Sequence, residues 1–209
     1  MKAAATSMDA ASSSIPPCPL PPEDAALVVD VQRDFCPGGA LAVPEGDAVV
    51  PAWNDFFGRC RPSHVYATRD WHPPNSRHFQ PAGPWPPHCV AGSPGADFHP
   101  GLRLPPRTVI ISKGVGETED GYSGFDGRDP SGESLAARLH RDGVRRLWIG
   151  GLATDYCVRA TAAAALENGF EVLLLTPAMR GINAAASRAA IGELQRAGAH
   201  VVELPPGEK

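Results

Sequence analysis

The stretch RRLWIGGLATDYCVRATAAAALENGFEVLLL, residues 145–175, decides the fold. RRLWIGG (145–151) and FEVLLL (170–175) are short, nearly continuous apolar runs, the pattern of strands covered on both faces. Between them CVRATAAAALENG (157–169) is rich in alanine and closes on Gly169, the residue type that ends helices. A strand, a helix and a strand in that order make a parallel unit with a right-handed crossover. The pattern repeats outward. AALVVD (25–30), HVYAT (64–68), TVIISK (108–113) and AHVVEL (199–204) read as four more strands. Helical patterns lie at EGDAVVPAWNDFFGRC (45–60), with Asp47 or a neighbour near its start, and at SGESLAARLHRDG (131–143), with Ser131 as cap and Gly143 as stop. A last one, NAAASRAAIGELQRAG (183–198), is opened by Asn183 and closed by Gly198. The alternation predicts an α/β fold with a largely parallel sheet and right-handed crossovers.

Length and charge bound the rest. At 209 residues and 43% hydrophobic, the chain suits one domain with a substantial core. A net charge of -4, with no basic stripe, offers no footprint for nucleic acid or an anionic membrane, so a small-molecule partner is expected; assembly into a homo-oligomer is left open. Cys18, Cys36, Cys60, Cys89 and Cys157 are odd in number and lack a CxxC pair, which reads as reduced thiols in a reducing, cytoplasmic compartment. Residues 1–24, rich in Ala, Ser and Pro, read as a disordered leader without a secretory or transit pattern, and 25–209 as the domain.

Residues 69–107 carry many prolines and no helical period. RDWH, HF and PWPPHC fill them with aromatics and metal-ligand types, which marks an active-site loop rather than a solvated linker. In open parallel sheets, ligands bind beyond the carboxyl ends of the strands, where strand order reverses. There Asp30 ends the first strand, Asp70 and His72 follow the second, Lys113 ends the third and Cys157 follows the fourth. An order of 3-2-1-4-5-6 would set Asp30 opposite Cys157 but would require Lys113 to reach in from farther away, so the order stays open. A cysteine at the start of a helix is a nucleophile if its thiolate is favoured, with Asp30 as base and Lys113 as cation; by position alone it is equally a small buried hydrophobe. Asp70 and His72, two apart in an extended segment, point the same way. With His88 they form a set suited to Zn²⁺, Fe²⁺ or Mn²⁺, and His78 stands as a fourth candidate. Phe35, Trp71, Phe79 and Trp85 either line a slot for an aromatic ring or anchor the loop. His64, His99, His140 and His200 read as ordinary surface or packing residues.

The strings DVQRDFCPGGAL (30–41), TRDWHPPNSRHF (68–79), GPWPPHCV (83–90), SKG with YSGF (112–125) and GLATDYCVRATAAAA (151–165) together resemble the nicotinamidases of the isochorismatase-like cysteine hydrolases, from about residue 25 to the C-terminus. The resemblance implies a three-layer α/β/α sandwich around a six-stranded parallel sheet, and hydrolysis of nicotinamide to nicotinate and ammonia in NAD salvage. It implies an Asp30, Lys113, Cys157 triad and one divalent ion, zinc first and iron or manganese next, on Asp70, His72 and His88 with His78 as an additional ligand. It further implies a cis bond between Leu152 and Ala153, an oxyanion hole from the N–H groups of Ala153 and Cys157, and Phe35, Trp85 and Tyr122 around the substrate ring. Ser76 stands where many relatives have histidine, which leaves open which histidine completes the metal set. Alternatives from the residues are a related amidase acting on another small amide, a two-His-one-Asp oxygenase, and a non-enzymatic metal-binding module.

Overall fold

The computed structural model describes residues 19–203. Six parallel strands form one sheet: β1 (Asp24–Val29), β2 (His64–Asp70), β3 (Val109–Lys113), β4 (Arg146–Leu152), β5 (Glu171–Arg180) and β6 (His200–Val202), in the order β3-β2-β1-β4-β5-β6. Every residue of β1 is buried, as a strand at the centre of a twice-covered sheet must be. The order reverses between β1 and β4, which are paired with Val29 beside Gly151. Gly151 is required there: its φ is +136°, and an added Cβ would collide with the Val29 carbonyl.

Two cores flank the sheet. On one face α1 (Val49–Cys60) packs Val49, Val50, Trp53 and Phe56 against Ala26, Val28 and Trp148. On the other face α2 (Leu135–Arg141), α3 (Arg159–Glu167) and α4 (Ala184–Arg196) place Leu135, Leu139, Ala162, Ala165 and Leu194 against Leu27, Ile149 and Leu174. The β2–β3 crossover has a 3-10 turn at Pro94–Ala96 but no α-helix. Its place beside α1 is taken by the proline-rich segment, which contributes Cys89 and Ala96 to the core and packs Trp71, Phe98, Leu102 and Leu104 against it. That segment is held by short turns, by bridges from His72 to Val90 and from Phe79 to Trp85, and by a cis Gln80–Pro81 bond.

Several local expectations change. The side chain that caps α2 is Ser134, whose Oγ accepts from the Ala137 N–H, and not Ser131; Ser131 instead donates to the buried Asp129 carboxylate from both N–H and Oγ. Asp47 makes no cap; a 3-10 turn, Gly46–Ala48, leads into α1. Asn183 does cap α4, Oδ1 accepting from Ala185 and Ala186 N–H at 2.9 Å each. Strand β5 runs five residues past its apolar stretch: its pairing with β4 shifts register around Thr176-Pro177, where proline offers no N–H, and resumes at Met179. The leader expectation falls mostly outside the described residues, but Leu20 is buried, its N–H bonded to Cys60 O, and Asp24 begins β1, so the domain starts before residue 25. Cys36, Cys89 and Cys157 are free thiols, whereas Cys60 is disulfide-bonded, which corrects the expectation that it is reduced; Cys18 lies outside the described residues. Among the described residues no helix is long and apolar enough to cross a membrane.

Candidate active site

Four strand ends converge. Val29 pairs with Thr68 on one side and Gly151 on the other, so Asp30, the next residue, leaves the sheet between β2 and β4. Its φ of +49° is uncommon for a residue with a side chain, though aspartate tolerates it better than most. Asp70 and Lys113 are register partners at the ends of β2 and β3, so their side chains project to the same face. This resolves the reach of Lys113. Two strand spacings, roughly 10 Å, are bridged by one extended lysine, whose Nζ sits 2.5 Å from Asp70 Oδ1 and 2.7 Å from Asp30 Oδ2. The same ammonium donates to Gly121 O at 2.6 Å and lies 3.6 Å from Cys157 Sγ. One ammonium is thus shared between two carboxylates, a thiol and a carbonyl, and all three acidic side chains hold their reactive atoms within 4.8 Å of one another.

Cys157 sits on a single π-helical turn, Thr154–Val158, ahead of α3, where Val158 N–H reaches back five residues to Ala153 O. Such turns are rare and recur at functional sites. The Leu152–Ala153 bond before it is cis. Asp155 ties the turn to the start of α4, accepting from Ile182 and Asn183 N–H.

Electrostatics separate the acidic groups. Burial raises Asp30 to about 6, against the opposing pull of Lys113 and the Thr68 hydroxyl, which donates to Oδ1 at 2.7 Å. Burial also works against a charged Asp70, but Lys113 and His72 outweigh it and hold that carboxyl well below the usual range. Lys113 is penalised by burial too, yet the two carboxylates keep it charged far above the ordinary lysine value. Burial pushes the Cys157 thiol well up, with Lys113 pulling the other way. Burial thus favours the thiol over the thiolate, and the turn at the head of α3 does not by itself offset it.

Three imidazoles, His72, His78 and His88, are buried with a ligand atom each inside a 4.8 Å cluster. Each hands its Nδ1 to an acceptor: Gly114 O at 3.0 Å, Asp120 Oδ1 at 3.2 Å and Pro86 O at 2.8 Å. That leaves the Nε2 lone pairs free. His72 Nε2 is buried with no hydrogen-bond partner, and Asp70 Oδ2 lies 3.7 Å from it and 3.9 Å from His88 Nε2. Burial lowers His78 and His88, favouring the neutral rings that metal binding needs. Three imidazoles and a carboxylate whose other oxygen is neutralised by Lys113 suit a divalent ion of the Zn²⁺, Fe²⁺ or Mn²⁺ type.

The two groups open on one cavity of about 380 Å³, mouth included, lined by Asp70, His78, His88, Asp120, Ala153 and Cys157 and by the apolar surfaces of Phe35, Leu41, Val43, Trp85, Tyr122, Tyr156 and Ile182. Trp85 donates from Nε1 to the Tyr122 hydroxyl, and both rings contact Tyr156. Phe79 and Trp71 do not line it: Phe79 is buried against His72 and His88, and Trp71 lies under the Arg69 guanidinium. Two residues outside the sequence-based set matter here. Tyr156 lines the cavity from the position before Cys157. Gln32 is fully buried; its amide accepts from Asp70 N–H and donates to Asp70 O and Ala96 O, clamping the backbone of Asp70. The only signal for Gln32 was its place two residues past Asp30, in the tight turn where its N–H donates to Asp30 O.

The isochorismatase domain model matches residues 24–205. The nicotinamidase/pyrazinamidase of Mycobacterium tuberculosis is 40% identical over 183 residues, covering 85% of this chain and 97% of that protein. Among solved structures, the Pyrococcus horikoshii pyrazinamidase in complex with zinc superposes with a TM-score of 0.79 at 45% identity, over 87% of this chain and 99% of that one. The L. infantum protein PnC1 in complex with nicotinate also gives 0.79, at 40% identity over 86% and 92%. The chain belongs to the isochorismatase domain family.

Proposed function

We propose that this protein is a hydrolase that converts nicotinamide to nicotinate and ammonia through a thioester on Cys157, a reaction consistent with NAD salvage. The observation that carries the reading is Asp70, which faces Lys113 with one oxygen and the histidine cluster with the other, so that a thiol–acid–base group and a metal-ligand group share one cavity. Relatives support it: the curated protein from M. tuberculosis is named for this activity, and the P. horikoshii and L. infantum structures hold zinc and nicotinate.

The geometry supports the following roles. Asp30, raised to about 6, is a base matched to neutral pH; it takes the Cys157 proton as the sulfur attacks the carboxamide carbon. Lys113 steadies both the Asp30 carboxylate and the sulfur as negative charge passes between them. The N–H groups of Ala153 and Cys157 receive the oxyanion, for which loss of one donor typically costs about 3 to 4 kcal/mol. Asp30 then gives its proton to the departing nitrogen, the C–N bond breaks and ammonia leaves. A water deprotonated by Asp30 attacks the thioester, the C–S bond breaks, and the proton returns to the Cys157 sulfur. Phe35, Trp85 and Tyr122, with Tyr156, flank the pyridine ring. A divalent ion held by Asp70, His72 and His88, with His78, would supply a Lewis acid for the ring nitrogen; zinc is the first choice. The oxygenase and non-enzymatic alternatives give no role to the buried Asp30–Lys113–Cys157 group.

The test is ammonia release from nicotinamide. Cys157→Ala is expected to abolish it while nicotinamide still binds by calorimetry; turnover within tenfold of wild type would sink the nucleophile assignment.

A further inference from the structure

The three buried imidazoles are oriented by acceptors of two kinds. His72 and His88 give Nδ1 to backbone carbonyls, of Gly114 and Pro86. His78 gives it to a side chain, Asp120 Oδ1, at 3.2 Å. The imidazole is 4% exposed and the carboxylate 71%, so a solvent-facing group sets a ring inside the site. Backbone acceptors come with the fold; this one depends on a single residue.

The loop that carries Asp120 is fastened to the segment that carries His78. Residues 114–121 run between Gly114 and Gly121, both in the left-handed region at φ +64° and +67°. Within it, Glu117 accepts from Arg77 N–H at 2.7 Å through its carbonyl and from Asn75 Nδ2 at 2.5 Å through its carboxylate. Gly116 N–H donates to Glu119 Oε2 at 3.1 Å. Asn75 and Arg77 immediately precede His78, so loop and imidazole are registered to each other by three separate contacts, counting the Asp120 bond itself.

We propose that Asp120 is the positioning residue that makes His78 a metal ligand: by accepting Nδ1–H it fixes the ring's tautomer and orientation, so that Nε2 joins Asp70, His72 and His88 around the ion. The proposal rests on the metal-site reading above. A carboxylate partner on the far nitrogen also makes the near one a better donor, and loss of such a partner typically lowers metal affinity about 10- to 100-fold. It also answers the question raised by Ser76, assigning the additional ligand to His78.

The test uses the full chain, with Zn²⁺ affinity read by competition against a chromophoric chelator and Co²⁺ absorption reporting the ligand set. Asp120→Ala is expected to weaken Zn²⁺ about 10- to 100-fold and to shift the cobalt bands, with His78→Ala doing the same. The double variant is expected to bind no more weakly than His78→Ala, since the two act as one unit. Asp120→Asn, which keeps an acceptor oxygen, should recover most of the affinity, and Asp120→Ser, too short to reach the ring, serves if the alanine variant folds poorly. Zn²⁺ affinity within twofold of wild type and unchanged cobalt bands in Asp120→Ala would overturn the proposal, as would losses that multiply in the double variant. A raised KM for nicotinamide at unchanged metal affinity would place Asp120 on the substrate and overturn it too. Wild-type chain that binds no cobalt overturns both this and the metal reading; wild-type binding that the Asp120 variants leave unaltered overturns this alone.

Discussion

Asp30 and Cys157 sit within reach of each other and both resist ionisation, for the same reason: burial. With Lys113 beside both, a proton can pass from the Cys157 thiol to the Asp30 carboxylate without adding a further negative charge to an interior where Asp70 is already ionised. Because the base must be ionised, kcat/KM for nicotinamide is expected to fall as the pH drops through about 6, the value to which burial raises Asp30. Thr68→Val removes a hydrogen bond that stabilises the charged form of Asp30 and nothing else of size. Such a bond to a charged group is worth about 1.5 to 3 kcal/mol, so the acid limb should move up by about one to two pH units; a limb that stays put or moves down would show that Asp30 is not the base. At this scale the sequence was most informative about residue types. The carboxylates, the lysine, the cysteine and the histidines were all legible as candidates, because together they fall beyond the carboxyl ends of the strands and in the loop that follows the second, where ligands bind in open parallel sheets. Gln32 was not, since an amide that clamps another residue's backbone looks like any polar residue in a turn.

Among the elements, the loop from Gly114 to Gly121 binds the two halves of the site together. Gly114 O holds His72, Asp120 holds His78, and Gly121 O holds the Lys113 ammonium. Gly114 has no room for a side chain: a Cβ would strike the His72 ring, and its φ of +64° is strained for other residues. Gly114→Ala is therefore expected to displace His72 and weaken Zn²⁺ about 10-fold or more, measured by chelator competition, with turnover falling in parallel. Undiminished affinity would mean that the ring is not anchored as the geometry indicates. The proline-rich segment is the other decisive element. Its aromatic and histidine content marked it as functional, but sequence could not divide its aromatics. Trp85 faces the cavity, Phe79 backs the histidines and Trp71 packs under Arg69, a division set by which side chains the turns bring inward. The α2 cap, expected at Ser131, falls at Ser134 for a similar reason, since the buried Asp129 takes Ser131 for a turn of its own.

For the whole molecule, the sheet order brings β1 and β4 together and leaves β3 at the edge, so a single lysine must span two strands to complete the site. Metal bound at the other end of Asp70 should stabilise the folded chain by mass action, about 2.7 kcal/mol at a hundredfold excess over Kd. Stripping with a chelator is accordingly expected to lower Tm and raise KM, with Zn²⁺ restoring both; a Tm indifferent to metal would argue against a preformed ion site. The amino-acid sequence by itself determined the fold class, the strands and helices to within a few residues and the chemical inventory of the site, because hydrophobic period, glycine stops and residue types at strand ends are local properties of the chain. Only the tertiary structure decided that Lys113 reaches both carboxylates, that Cys157 rests on a π turn where burial raises its thiol, that Gln32 and Tyr156 belong to the site and that Cys60 is disulfide-bonded. Those facts depend on register and burial, which arise when strands far apart in sequence are laid side by side and water is excluded between them.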